Sequence, residues 1–174
     1  MDDNVFEVTS VEYDDTISFK VELQTAYSES TVVVKNNGLA LTAVEGVYTV
    51  ENITENVTIT VEGVQKNTYT VTLPTERTGY TLKNANDALL TITSLEYGAD
   101  LTFKVAVDEG YSASANNLVV ACNTTPLEAN NGVYTVANVT ANIEITVSGL
   151  TLNSYTITFL VDIICQLHTI IHRG

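Results

Sequence analysis

The sequence predicts an all-β protein of two tandem modules, and three observations carry that expectation. The chain repeats itself at a domain-sized interval, apolar residues alternate with Thr, Ser and Glu, and Gly- or Asn-containing turns recur at short spacing. Alternation at period two is the pattern of a half-buried strand. Many short strands separated by such turns describe an antiparallel sandwich or barrel.

The elements follow in chain order. Val8-Thr9-Ser10-Val11-Glu12-Tyr13 leads into Ile17-Ser18-Phe19-Lys20-Val21, in which Ile17, Phe19 and Val21 take the inward face and Lys20 turns to water. Asn36-Asn37-Gly38 and Glu45-Gly46 are turns, because Gly and Asn tolerate positive φ. Gly46-Val47-Tyr48-Thr49-Val50 is followed by Asn56 to Val61, where Val57, Ile59 and Val61 share one phase. Tyr69-Thr70-Val71-Thr72-Leu73 is a further strand, rich in branched and aromatic side chains that suit a pleated surface, and Pro74 ends it.

The pattern then returns. Ile92 to Tyr97 and Leu101-Thr102-Phe103-Lys104-Val105 echo the first two segments at an offset of 84, the interval from Phe19 to Phe103. Gly132 to Val136 and Asn142 to Val147 echo their counterparts at 86, the interval from Gly46 to Gly132. A two-residue insertion therefore sits in a loop of the second copy. Pro126 belongs to an edge or loop, and Tyr155-Thr156-Ile157-Thr158-Phe159 repeats Tyr69 to Leu73. Solenoid repeats have much shorter periods, so the duplication describes two folding units.

By this arithmetic the modules occupy 4–82 and 88–162, with a non-repeat tail at 163–174. The boundary has a second reading, in which Tyr69 to Leu73 opens the second unit and Tyr155 to Phe159 is an orphan strand. Such a strand seeks an open edge and would join chains head to tail.

Composition narrows the function. The net charge of -14, from 21 acidic and 7 basic side chains among 174 residues, disfavours nucleic acid and anionic lipid as partners. No run of about 18 apolar residues is present to insert in a membrane. Met1-Asp2-Asp3-Asn4 lacks the basic start and apolar core of a signal peptide, and the expectation is a fragment of a larger secreted protein. Cys122 and Cys165 stand at places the repeat does not relate, so no disulfide framework is expected.

Several residue groups have the side-chain types of a site. Cys165, His168 and His172 would share one helical face suited to zinc, but lack a fourth ligand, and an apolar tail with incidental histidines is the expectation. Lys20, Asn56 and Glu12, matched by Lys104, Asn142 and Glu96, have the residue types of a Lys–Asn cross-link, and the outward phase of Lys20 argues against it. Asp14, Asp15, Asp100, Asp108 and Glu109 lie at strand ends without a converging calcium loop. Asn52, Asn56, Asn123 and Asn138 head Asn-X-Thr sequons that composition alone produces. Leu73-Pro74-Thr75-Glu76-Arg77 lacks the Thr-Gly and following membrane segment of a sorting signal. No catalytic Ser/His/Asp set forms without the tail histidines, and no enzymatic activity, cofactor or metal is expected.

The pattern Gly-Val-Tyr-Thr-Val-x-Asn-(Ile/Val)-Thr-x-Asn-(Val/Ile)-x-Ile-Thr-Val-x-Gly, at Gly46 to Gly63 and Gly132 to Gly149, resembles tandem repeats of large extracellular proteins from Gram-positive gut bacteria, of the divergent internalin B-repeat type. The resemblance spans about 4 to 159. Copy one departs at Ala26, where the pattern has Gly, and copy two departs at Cys122-Asn123-Thr124, which replaces the Asn36-Asn37-Gly38 turn. It implies a secreted or cell-surface location and a role in spacing or adhesion, with no catalytic residues to transfer. Its implied fold is a small Ig-like β-sandwich, with grasp-type sheets as the alternative. The expected function is a non-catalytic stalk or interaction module whose partners are neighbouring repeats. A competing expectation is a module that binds a glycan or host protein through Tyr27, Tyr80 and Tyr111, and a third is a strand-exchange polymer.

Overall fold

The computed structural model describes residues 10–113 and 118–158. The fold is all-β and sandwich-like; its described residues hold no α-helix, only a 3-10 turn at Thr25–Tyr27. No helix among them is long and apolar enough to cross a membrane.

The first half contributes β1 (Asp15–Phe19), β2 (Val33–Asn36), β3 (Leu39–Ala40), β4 (Tyr48–Ile53) and β5 (Ile59–Glu62). β1 pairs antiparallel with β4, while β2 lies between β3 and β5. The second half contributes β6 (Thr68–Thr72), β7 (Tyr80–Lys83), β8 (Ser94–Glu96), β9 (Leu101–Val107), β10 (Tyr111–Ala113), β11 (Val119–Cys122), β12 (Thr125–Pro126), β13 (Tyr134–Val136), β14 (Ile143–Ser148) and β15 (Leu150–Leu152). A five-stranded sheet runs β12-β11-β14-β6-β8 and a three-stranded sheet runs β13-β9-β7; β10 and β15 form a ribbon.

Strand phase decides which residues meet between these layers. Ile143 and Ile145 on β14, with Val71 and Val120 on β6 and β11, are buried against Leu82 on β7 and Leu101 and Phe103 on β9. Their neighbours Glu144, Thr146 and Thr102 face water. Two layers with alternate residues buried between them are the sandwich arrangement rather than a grasp-type sheet.

The two halves share local geometry at matching places. Phe19 stacks on Tyr48 with ring centroids 5.6 Å apart, and Phe103 on Tyr134 at 5.5 Å. Asn37 Oδ1 accepts the Thr58 N–H at 2.9 Å, and Asn123 Oδ1 accepts the Glu144 N–H at 2.9 Å. Asn52 and Asn138 both take positive φ (50° and 51°), a conformation Asn tolerates better than most side chains.

Pairing corrects the module boundary. β6 bonds in parallel to β14 and antiparallel to β8, and β7 pairs with β9, so residues 68–83 belong with the second set of sheets and not with 4–82. The repeat identifies Tyr69 to Leu73 as a strand, whereas its neighbours lie far along the chain and leave no local trace. Residues 159–162 of the second expected module and the 163–174 tail lie outside the described residues.

Burial raises the hydroxyl pKa of Tyr80, partly offset by Arg77, and raises that of Tyr134, with Glu128 adding to it. A group whose folded pKa exceeds its unfolded one contributes stability that is complete below the unfolded value, near 10 for tyrosine, and lost as pH rises through the folded value. The melting temperature is therefore expected to fall as pH rises above about 10. Tyr80→Phe should flatten that fall when both chains are followed by circular dichroism; an equal slope would contradict this.

Candidate functional site: an open groove in the first set of sheets

Among the described residues, the first set of sheets has an incompletely covered interior. Leu101, Phe103 and Ile145 are fully buried in the second set, whereas their counterparts Ile17, Phe19 and Ile59 are only half-buried. Leu95 and Tyr97 are half-buried, but their counterparts Val11 and Tyr13 are exposed. The covering elements in the second set are β6 and β7.

Where β6 would lie there is a groove of about 800 Å³. Ile17, Phe19, Val57 and Ile59 line its apolar part; Val11, Glu12, Tyr13, Lys20 and Asn56 contribute further lining. β5 is paired only with β2, and β1 only with β4, so each presents one unpaired edge among the described residues. Unpaired backbone N–H and C=O groups beside an apolar floor suit an extended chain, which supplies hydrogen bonds and alternate side chains together.

Asn67 bonds to residues of both halves. Asn67 is 4% exposed. Its Nδ2 donates to the Thr25 carbonyl and Ser28 Oγ, both at 3.0 Å, and its Oδ1 accepts the Glu29 N–H at 3.1 Å. Its backbone N–H donates to the Ala26 carbonyl and its own carbonyl accepts the Tyr97 N–H, both at 2.8 Å. Asn67 thus closes the first set while starting β6 in the second. Sequence reasoning missed it, although a signal existed: Asn153 stands 86 residues later, and its N–H donates to the Gly110 carbonyl at 2.8 Å in the same manner.

The residues after Asn153 then leave the sheets. Tyr155 is 85% exposed and Ile157 76%, whereas Val71, the counterpart of Ile157, is 5% exposed.

Of the other candidate residues, Glu12, Lys20 and Asn56 all line the groove, whereas their second-copy counterparts are dispersed. Lys104 Nζ bonds Asp87 at 2.9 Å, which holds the Asp87 carboxyl below its usual pKa, while Asn142 Oδ1 accepts the Thr70 N–H at 2.9 Å. Lys104 and Asn142 are thus engaged with different partners, and Lys20 is exposed. Asp15 accepts the Glu12 N–H at 2.7 Å and Asp100 the Asn138 N–H at 2.7 Å, so these acids tie turns. Among the described residues no three His, Cys, Asp or Glu side chains group to hold a metal, and Cys165, His168 and His172 lie outside them. Cys122 is buried, which pushes its thiol pKa up.

The tyrosine surface needs correction. Tyr80 is buried under the second set of sheets rather than exposed near a turn, because it leads β7 with its side chain on the inward face. Tyr27 and Tyr111 are half-buried, and the Tyr111 ring lies so close over Gly79 that a Cβ there would meet it at 2.5 Å. The strongly exposed tyrosines are Tyr13 and Tyr155. Comparison with family models, curated proteins and solved structures gave no match to this chain.

Proposed function

We propose that this chain is a non-catalytic structural segment, a stalk or spacer in which successive all-β modules are coupled by a shared strand. The observation that carries the reading is the path of β6. It leaves the first half at Asn67, which makes four hydrogen bonds to residues 25–29 and a fifth to Tyr97 in the second half, and becomes an interior strand of the five-stranded sheet that follows. A linker built into a sheet restricts bending far more than a flexible connection of equal length.

The dispersed acidic surface keeps such a rod solvated and free of nucleic acid. The resemblance to extracellular bacterial repeats supports a secreted or surface-attached setting, with neighbouring modules as the immediate partners.

The test is relaxation of backbone amides by NMR on the monomeric fraction. Both halves are expected to report one anisotropic tumbling time, because the Asn67 junction transmits rotation. Two independent tumbling times would overturn the reading.

A further inference from the structure

We infer that residues 154–158 of one copy occupy the groove in the first set of sheets of a second copy, linking chains head to tail. The inference rests on the shared-strand reading of β6 and extends it from within the chain to between chains.

Four observations converge on this occupant. Its sequence is that of the strand which fills the equivalent place: Tyr155-Thr156-Ile157-Thr158 reproduces Tyr69-Thr70-Val71-Thr72, with a conservative Ile for Val at the buried position. Its approach is prepared, since Asn153 repeats the Asn67 backbone bond that launches β6. Its inward residues are uncovered, Tyr155 and Ile157 being among the most exposed large hydrophobic side chains. The acceptor side is equally uncovered, with Tyr13 at 81% exposure beside unpaired strand edges.

The register follows from the second half. Val71 lies opposite Ile143 and Thr72 opposite Glu144 in parallel pairing, while Tyr69 faces Leu95 and Thr70 faces Ser94 in antiparallel pairing. Shifted by the repeat offsets, Ile157 lies opposite Val57 and Thr158 opposite Thr58 of the partner copy. Tyr155 then faces Val11, and Thr156 faces Ser10. The Thr156 N–H meets Asn56 Oδ1, as the Thr70 N–H meets Asn142 Oδ1 at 2.9 Å. Tyr155 sits against Tyr13, as Tyr69 sits against Tyr97 with ring centroids 6.4 Å apart. The matched positions give Ile157 the role of principal anchor.

Donor and acceptor lie on different surfaces of one chain, so the contact is heterologous and each addition leaves a fresh donor and a fresh groove. Growth is therefore open-ended.

The experiment is multi-angle light scattering of the 174-residue chain over a concentration series, with the Ile157→Asp variant and a synthetic peptide of residues 153–159 as controls. The chain is expected to form a ladder in steps of 18.8 kDa. Ile157→Asp alters an exposed residue and leaves the fold intact, as circular dichroism will show, yet places an unpaired charge on the groove floor. It is expected to weaken association by at least about 100-fold. Excess peptide is expected to cap the grooves and return the ladder to monomer. A chain that stays monomeric at about millimolar concentration, or assemblies that survive both the substitution and the peptide, would overturn the inference. A monomer whose halves still tumble together would leave the shared-strand reading standing, so the two fail separately.

Discussion

Phe103→Ala is expected to lower the stability of the second set of sheets by about 3–5 kcal/mol, whereas Phe19→Ala at the matching position should cost about 1–2 kcal/mol. The two side chains have the same sequence surroundings and the same tyrosine stack. They differ in what lies above them. Phe103 is 0% exposed beneath a closed interior that includes Leu82 and Ile145, so its removal leaves a cavity that rigid neighbours cannot fill. Phe19 is half-buried beside an open groove, and water already reaches the space its ring would vacate. Urea unfolding of the monomeric chain, followed by near-ultraviolet circular dichroism, checks both. Equal losses would mean that the first interior is as well covered as the second.

Asn67→Ala is expected to cost about 2–4 kcal/mol and to separate the unfolding of the halves into two transitions. The substitution removes three side-chain hydrogen bonds at once, and leaves the Glu29 N–H and the Thr25 carbonyl without these partners at a part-buried site around the buried Asn67. An Asn67→Asp chain should be little better. It keeps an acceptor for Glu29 but loses both Nδ2 donations, and it carries a charge where there is scarcely any exposed surface to solvate it. Calorimetry of the monomeric chain distinguishes the outcomes. A single cooperative transition with an unchanged midpoint would show that Asn67 couples nothing.

The strands were legible because local chemistry marks them. Val57, Ile59 and Val61 alternate with polar residues, Asn37 and Asn123 can take positive φ, and the spacing of Phe19 and Phe103 reveals the repeat. The partners of each strand were less legible. Nothing in Tyr69-Thr70-Val71-Thr72-Leu73 states that its parallel neighbour is β14, because a strand's identity is local and its pairing is not. Tyr80 illustrates the same limit: a tyrosine after Thr78-Gly79 reads as a turn residue until β7 is paired with β9, which turns its ring inward. Asn67 was overlooked because a single Asn between strands is common, and only its echo at Asn153 distinguishes it. The groove itself is a difference between two copies of one pattern, visible only when burial is compared residue by residue.

The parallel pairing of β6 with β14 also governs the order of assembly. The Thr70 amide must wait for Asn142, 72 residues later, before its hydrogen bond can form. A sheet whose interior strand is made first and clasped last has high contact order, and such topologies fold slowly. As the polypeptide emerges from the ribosome, β6 waits with β14 not yet synthesised, and on the proposed head-to-tail pairing the grooves of nearby nascent chains would compete for it. Cotranslational mispairing is therefore this protein's characteristic folding hazard, and a crowded polysome is where it is greatest.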